Sequence, residues 1–319
     1  MATTTLPPSG GPTPGPIVDL SGNPRRHRRE RAMGVVFFLA AATSLLISAL
    51  ILVSLFSNGF EFLTDVNWSN VFDARGWAPR RDQYGISTIL VGSLIVTGVA
   101  MMVATPLGLG AAIYLSEYAR PRVRTVLKPI LEVLAGVPSV VLGVFALNWI
   151  APEVVGTIFG EEYNRGSMMA AGIGVGILTI PLVASVSEDA MRAVPDSLRE
   201  ASAGVGARRM STTLRVVLPA AVSGIVAALI LAASRAIGET MVVFIAGGAS
   251  DSANFTTNPL DGSLTMTAAM ASLAVGTENV RGAGLAVPSL YFVGIALFFF
   301  TFVLNVIANR FVRRVRQVY

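Results

Sequence analysis

Arg235 and Glu239 form the one ionisable pair that lies deep inside an apolar run of this chain. Four residues apart, they fall on the same face of a helix, within reach of each other. Arg235 stands 16 residues past Pro219, ~24 Å along an ideal helix, well inside a bilayer. An unpaired Arg there costs at least ~2.5–3.5 kcal/mol on insertion scales, so it is rarely left facing lipid. A guanidinium offers five donors in a rigid fork that matches phosphate or sulfate oxygens. The chemistry indicated is oxyanion binding, without saying which oxyanion. Two structural explanations compete, an intrahelical salt bridge and a misplaced span boundary. Intramembrane charge favours a pathway role for Arg235 and Glu239.

A second constellation has regular spacing. Glu200-Ala201-Ser202 is followed by three residues, Gly206, nine residues and Val216-x-Leu218-Pro219. It occupies an Arg-rich loop between apolar segments, where such spacing has no obvious membrane role. Other chemistries are excluded by composition. With no Cys there are no disulfides, thiolate metal sites or cysteine nucleophiles. The single His27 sits in a basic tail. The single Lys, Lys128, precedes Pro129 and follows no Gly-rich turn, so the chain has no phosphate-cradling P-loop. No catalytic residue, metal or cofactor is expected.

The elements that must position these residues are membrane spans. Hydrophobic residues make up 53% of the 319 and charged residues 13%, with mean hydropathy +0.66. Soluble domains average about 25% charged. At roughly 20 apolar residues per helical span, six are expected, over residues 33–56, 86–115, 127–150, 168–187, 219–247 and 287–308. A kink or break is expected at Thr105-Pro106. The run Gly172, Gly174, Gly176 permits close helix packing. Gly224, Ala228, Ala232, Ala236 and Thr240 form a small-residue strip beside the row Ser223, Ala227, Leu231, Arg235, Glu239. The strip is expected to pack while the row faces a cavity. The organisation is a disordered basic tail over 1–32, a first transmembrane helix over 33–56 and an external loop over 57–85. A core of five spans follows over 86–308, with the loop 190–219 inside it, and then a basic tail over 309–319. A short helix over 263–275 is expected near the membrane surface.

Charge orients these elements. Eighteen of the 24 Lys and Arg flank alternate span ends, in the two tails and the loops after spans two and four. Five lie on the other side, and Arg235 lies within a span. The positive-inside rule then puts both termini in the cytoplasm. The Arg runs flank spans at every occurrence, which argues against nucleic-acid binding. The external loops hold ten acids against five Arg, a balance that repels a free anion. It suits an anion that arrives enclosed in a binding protein.

The loop resembles the EAA loop of bacterial ABC importer permeases, E-A-A-x3-G-x9-I-x-L-P, with Ser202 in place of the second Ala. That resemblance implies an all-α polytopic membrane protein of type I importer (MetI-like) architecture. It also implies that Glu200, Ala201, Gly206, Leu218 and Pro219 engage a separate cytoplasmic ATPase subunit. The run Ser234-Arg235-Ala236-Ile237-Gly238-Glu239-Thr240-Met241, with Leu134-Ala135-Gly136-Val137-Pro138-Ser139-Val140, resembles permeases of the phosphate-specific (Pst) ABC importers. Met241 and the run Leu264-Thr265-Met266-Thr267-Ala268-Ala269 look more like the C subunit than the A subunit. The resemblance implies a homologous second permease of A type, ATPase subunits and an extracytoplasmic phosphate-binding protein as partners, within the lipid of the bacterial inner membrane. Permeases for sulfate or molybdate fit the EAA loop but not the run from Arg235 to Thr240. A membrane-embedded enzyme lacks a nucleophile or metal cluster here. A secondary transporter has no reason to carry the loop, and is expected to show repeat symmetry.

Overall fold

The computed structural model describes residues 24–72, 76–248, 253–275 and 284–315. In chain order they form α1 (Pro24–Asp65), α2 (Trp68–Phe72), β1 (Trp77–Ala78) and β2 (Gln83–Tyr84). There follow α3 (Ile86–Tyr118), α4 (Pro121–Ala135), α5 (Ser139–Phe159) and α6 (Met168–Arg192). The last are α7 (Asp196–Gly204), α8 (Arg209–Ile237), α9 (Met241–Ala246), α10 (Met266–Val275) and α11 (Ala286–Val315). Among the described residues six helices, α1, α3, α5, α6, α8 and α11, are long and apolar enough to cross a membrane.

The chain divides into two units, one ending at Ser54 and one beginning at Leu55. The first holds the N-terminal part of α1, basic over its opening turns and apolar from Met33 on, with Phe37, Phe38, Leu45 and Leu46 exposed. The helix begins at Pro24, not at 33 as the hydropathy suggests. Proline is well suited to a first helical position, where its missing donor would be unpaired anyway. Residues 1–23, most of the expected disordered tail, lie outside the described residues.

In the second unit α6 is central, with α3, α4 and α8 packed on it. Its start is capped by Ser167, whose Oγ accepts from the Ala170 N–H at 3.3 Å. Its glycines allow close approach, as expected. A Cβ on Gly172 would come within 2.6 Å of Val99 Cβ, and one on Gly176 within 2.9 Å of Val103 Cβ. The strip on α8 is likewise inside, with Ala228, Ala232 and Ala236 buried. Small side chains bring backbones close enough for dispersion to hold helices together where water exclusion cannot.

Three expectations are corrected. α3 runs unbroken through Pro106. One lost donor is tolerated where neighbouring backbone and helices compensate. The third span is Ser139–Phe159 rather than 127–150. Val137 precedes Pro138, which biases it away from helix. The residues before that break form the separate amphipathic α4, whose Val123, Val126, Ile130 and Val133 are exposed while Arg124 and Lys128 turn to α6. The fifth span is also interrupted, because α8 stops at Ile237 and α9 starts at Met241.

The polar segment after α9 is stitched to the start of α6. The N–H groups of Asn164, Met168 and Met169 donate to the carbonyls of Leu260, Asp261 and Pro259. Trp77 and Ala253 exchange backbone hydrogen bonds at 2.8 and 2.9 Å. Tyr84 is buried beside Trp77 and donates its hydroxyl to Asp82 at 3.1 Å. Burial, then that bond and the Asp82 charge, push its pKa upward. Helix α10 begins at Met266, and its first turn is buried within the protein. There the Met266 N–H donates to Ser93 Oγ at 2.9 Å.

Candidate functional site

The interruption of the fifth span decides the surroundings of Arg235 and Glu239. Gly238 ends α8, its N–H donating to the Ser234 carbonyl at 3.3 Å. Glu239 therefore leaves the helical register that the four-residue spacing assumes. No ion pair joins it to Arg235, and among the described residues Arg235 has no ion-pair partner. Glu239 instead serves the break. Its Oε1 accepts from the Val242 N–H at 3.4 Å, and its carbonyl accepts from Thr267 Oγ1 of α10 at 2.7 Å. Non-helical backbone at membrane depth is tolerated where protein buries it or where it lines a wet cavity. Of the three residues between α8 and α9, Glu239 has its carbonyl satisfied by α10.

Arg235 is exposed on α8, on the same row as exposed Leu231, beside the strip of buried alanines. Helical side chains lean toward their own N-terminus, so Arg235 points back along α8. There it lines a cavity of about 260 Å³ with Lys128, Glu132, Leu178, Ser185 and Glu188. A guanidinium without an ion-pair partner among the described residues, beside a second cation and with Glu132 and Glu188 on the same wall to limit its pull, can hold an anion and release it.

Glu188 has no place in the sequence reading, since it falls one residue beyond the expected end of span four. In the structure it is 0% exposed and faces Arg124, Lys128 and Arg192. A charged side chain directly after an apolar run was the available signal. It could not be weighed without knowing where the helix leaves the membrane.

The loop after α6 folds as helix, turn and helix. Helix α7 carries Glu200 and Ala201, both exposed, and Gly206 follows with φ +79°. Open space surrounds that glycine, so the backbone conformation alone requires it. Ser202 Oγ and Thr212 Oγ1 lie 2.9 Å apart and tie the two arms of the turn. Val205, 85% exposed, and Met210 form an apolar tip. Leu218 and Pro219 come after a π-turn over Thr213–Val217, within α8.

Arg199, counted in the sequence only as a loop charge, is the anchor of α7. It donates to the carbonyls of Val194 at 2.7 Å and Met191 at 2.8 Å, at the end of α6. It also reaches Glu117 of α3 at 3.0 Å and Asp196 at 3.1 Å. One guanidinium joins the exposed helix to two spans.

A family model described as binding-protein-dependent transport system inner membrane component matches residues 104–317. The chain is 29% identical over 296 residues to the phosphate transport system permease protein PstC of Mesorhizobium japonicum, covering 86% of this chain and 88% of that one. It is 34% identical over 231 residues to phosphate transport system permease protein PstA 1 of Mycobacterium tuberculosis, covering 72% of each. Its fold matches a chain of a bacterial alginate ABC transporter in complex with an alginate pentasaccharide-bound periplasmic protein. That match has TM-score 0.66 at 13% identity, covering 92% of this chain and 98% of that one.

Proposed function

The chain belongs to the binding-protein-dependent transport system inner membrane components, as a multi-pass permease of the inner membrane with an ABC importer fold, and from that premise we propose that it moves inorganic phosphate into the cytoplasm. The reading is carried by Arg235, a guanidinium within a span that has no ion-pair partner among the described residues and opens on a cavity. Phosphate reaches it from an extracytoplasmic phosphate-binding protein, which suits the acidic external loops. A second, A-type permease completes the pathway opposite α8. Glu239 belongs to the same pathway by holding the interruption beside Arg235. Energy comes from separate ATPase subunits gripping the loop from Glu200 and Ala201 through Gly206 to Leu218 and Pro219. Both termini are cytoplasmic.

The C-type assignment rests on Met241, on the run 264–269 and on the similarity to the PstC permease. The similarity to PstA 1, higher in identity though over less of the chain, favours an A-type subunit as the second reading. Complementation separates them. In a phosphate-starved host lacking its C-type permease, this chain restores uptake of labelled phosphate. Rescue only of a host lacking the A-type permease would exchange the subunits, and rescue of sulfate uptake instead would overturn the substrate.

A further inference from the structure

Among the described residues Glu188 is the one charged side chain with no exposed surface, yet three cations converge on it. Arg124 Nη2 lies 2.6 Å from Oε1, Lys128 Nζ 3.7 Å from Oε2 and Arg192 Nη1 4.0 Å from Oε1. Neither oxygen receives a directed hydrogen bond. Arg124 is held closely, while Lys128 and Arg192 are held by charge at a distance.

A purely structural role does not account for this arrangement. One cation suffices to neutralise a buried carboxylate, and the three here keep 28%, 31% and 46% of their side chains exposed, facing away from Glu188 as well as toward it. Asp189 is also within 3.4 Å of Lys128, but it is mostly in solvent, where screening makes such a pair weak. Three cations against Glu188 and Asp189 leave one positive charge over, Glu132 being a further acid on the wall of the first cavity, and the cluster faces open space on two sides. Lys128 shares the 260 Å³ cavity with Arg235. Arg124 and Arg192 line a larger one of about 740 Å³, with Arg199 and Arg209 on its wall. Glu188 holds cations belonging to both.

We propose that this cluster is a second oxyanion station on the cytoplasmic side of Arg235. An anion that leaves Arg235 is taken up by Lys128, and then by Arg124 and Arg192 at the larger cavity. Leu178, Pro181 and Leu182 lend the first cavity an apolar wall, which strengthens the field of Lys128. Glu188 is a positioning residue. It keeps the three cations in a row and lowers their combined pull, since conduction through successive sites needs each to bind weakly enough to release. The inference rests on the reading of Arg235 as a pathway residue.

The chain has no cysteine, so a Ser185→Cys variant puts its one thiol in the first cavity. The assembled complex, with cysteine-free partner subunits, is placed in inside-out vesicles and treated with anionic and cationic methanethiosulfonates of equal size. The anionic reagent is expected to react about tenfold faster, and millimolar inorganic phosphate to slow it. Adding Lys128→Gln removes both effects. Lys128→Gln alone lowers the maximal rate of phosphate uptake while the half-saturating concentration of loaded binding protein stays constant, and Lys128→Arg restores the rate. A loss through misfolding would show instead as lost assembly. Equal reaction with both reagents, or no protection by any oxyanion, overturns the station, and phosphate uptake by the wild-type complex then leaves the permease reading intact. Protection and uptake with sulfate but not phosphate keep the station and overturn the substrate. Should Ser185→Cys fail to assemble, Leu182→Cys on the same wall carries the measurement.

Discussion

At the scale of a residue, the cost of Arg235 is the argument. A guanidinium in a span, without an ion-pair partner among the described residues, is retained where something else satisfies its five donors part of the time. Arg235→Gln is therefore expected to reduce phosphate uptake by ~10–100-fold, the worth of a hydrogen bond to a charged group, while the complex still assembles. Arg235→Lys recovers part of the rate, because an ammonium lacks the planar fork. The charge-exchanged double variant, Arg235→Glu with Glu239→Arg, separates pathway from architecture. Had the two formed an intrahelical bridge, exchange would restore transport. With α8 ending at Gly238 and Glu239 turned to Val242 and Thr267, uptake by the exchanged variant is expected to stay as low as in Arg235→Gln. Full recovery in vesicle uptake would mean that the pair forms during the transport cycle.

At the scale of an element, the exposed turn after α6 explains why a short motif can be read from sequence while its anchor cannot. Gly206 has φ +79° in open space, so Gly206→Val fails on backbone conformation, at a cost of ~1–2 kcal/mol. The variant is expected to insert normally and to lose phosphate-stimulated ATP hydrolysis by the partner subunits. An unchanged stimulation would free this turn of any coupling role. Arg199→Ala removes donors from two carbonyls at the end of α6 and from Glu117 of α3. It is expected to destabilise by about 1–3 kcal/mol and to speed protease cleavage within α7, with Arg199→Lys intermediate. Apolar length and local spacing were enough to read six spans, the strip of alanines and the glycine turn, because these depend on neighbours in the chain. The break at Val137-Pro138 had a local signal in its proline, but the break at Gly238 and the partners of Glu188 and Arg199 were not legible. They depend on which helix lies opposite: α10 supports the interruption after α8, and α4 supplies two of the three cations of Glu188.

At the scale of the whole molecule, the basic residues and the corrected spans must agree on one topology. With the third span at Ser139–Phe159, α4, with Arg122, Arg124 and Lys128, is expected outside the hydrocarbon and on the same side as α7. That raises the consistency of the charge pattern, since a span over 127–150 would carry Lys128 and Glu132 into the bilayer. It also moves the opposite loop to residues 160–167, and the segment stitched to it by backbone hydrogen bonds, residues 258–261, must share that side. The insertion machinery responds to Lys and Arg in short loops rather than to net charge. The eighteen flanking cations should therefore hold residues 120 and 205 in the cytoplasm, against five on the other face. Reporter fusions at 162 and 255 are expected to be active only outside the membrane, and fusions at 120 and 205 only inside. A fusion at 145, within α5, is expected to give a mixed signal rather than the clean outside signal of 162. Were 145 fully outside, α4 would be part of the third span, and the cavity shared by Lys128 and Arg235 would lie at a different depth from the one its cytoplasmic station requires.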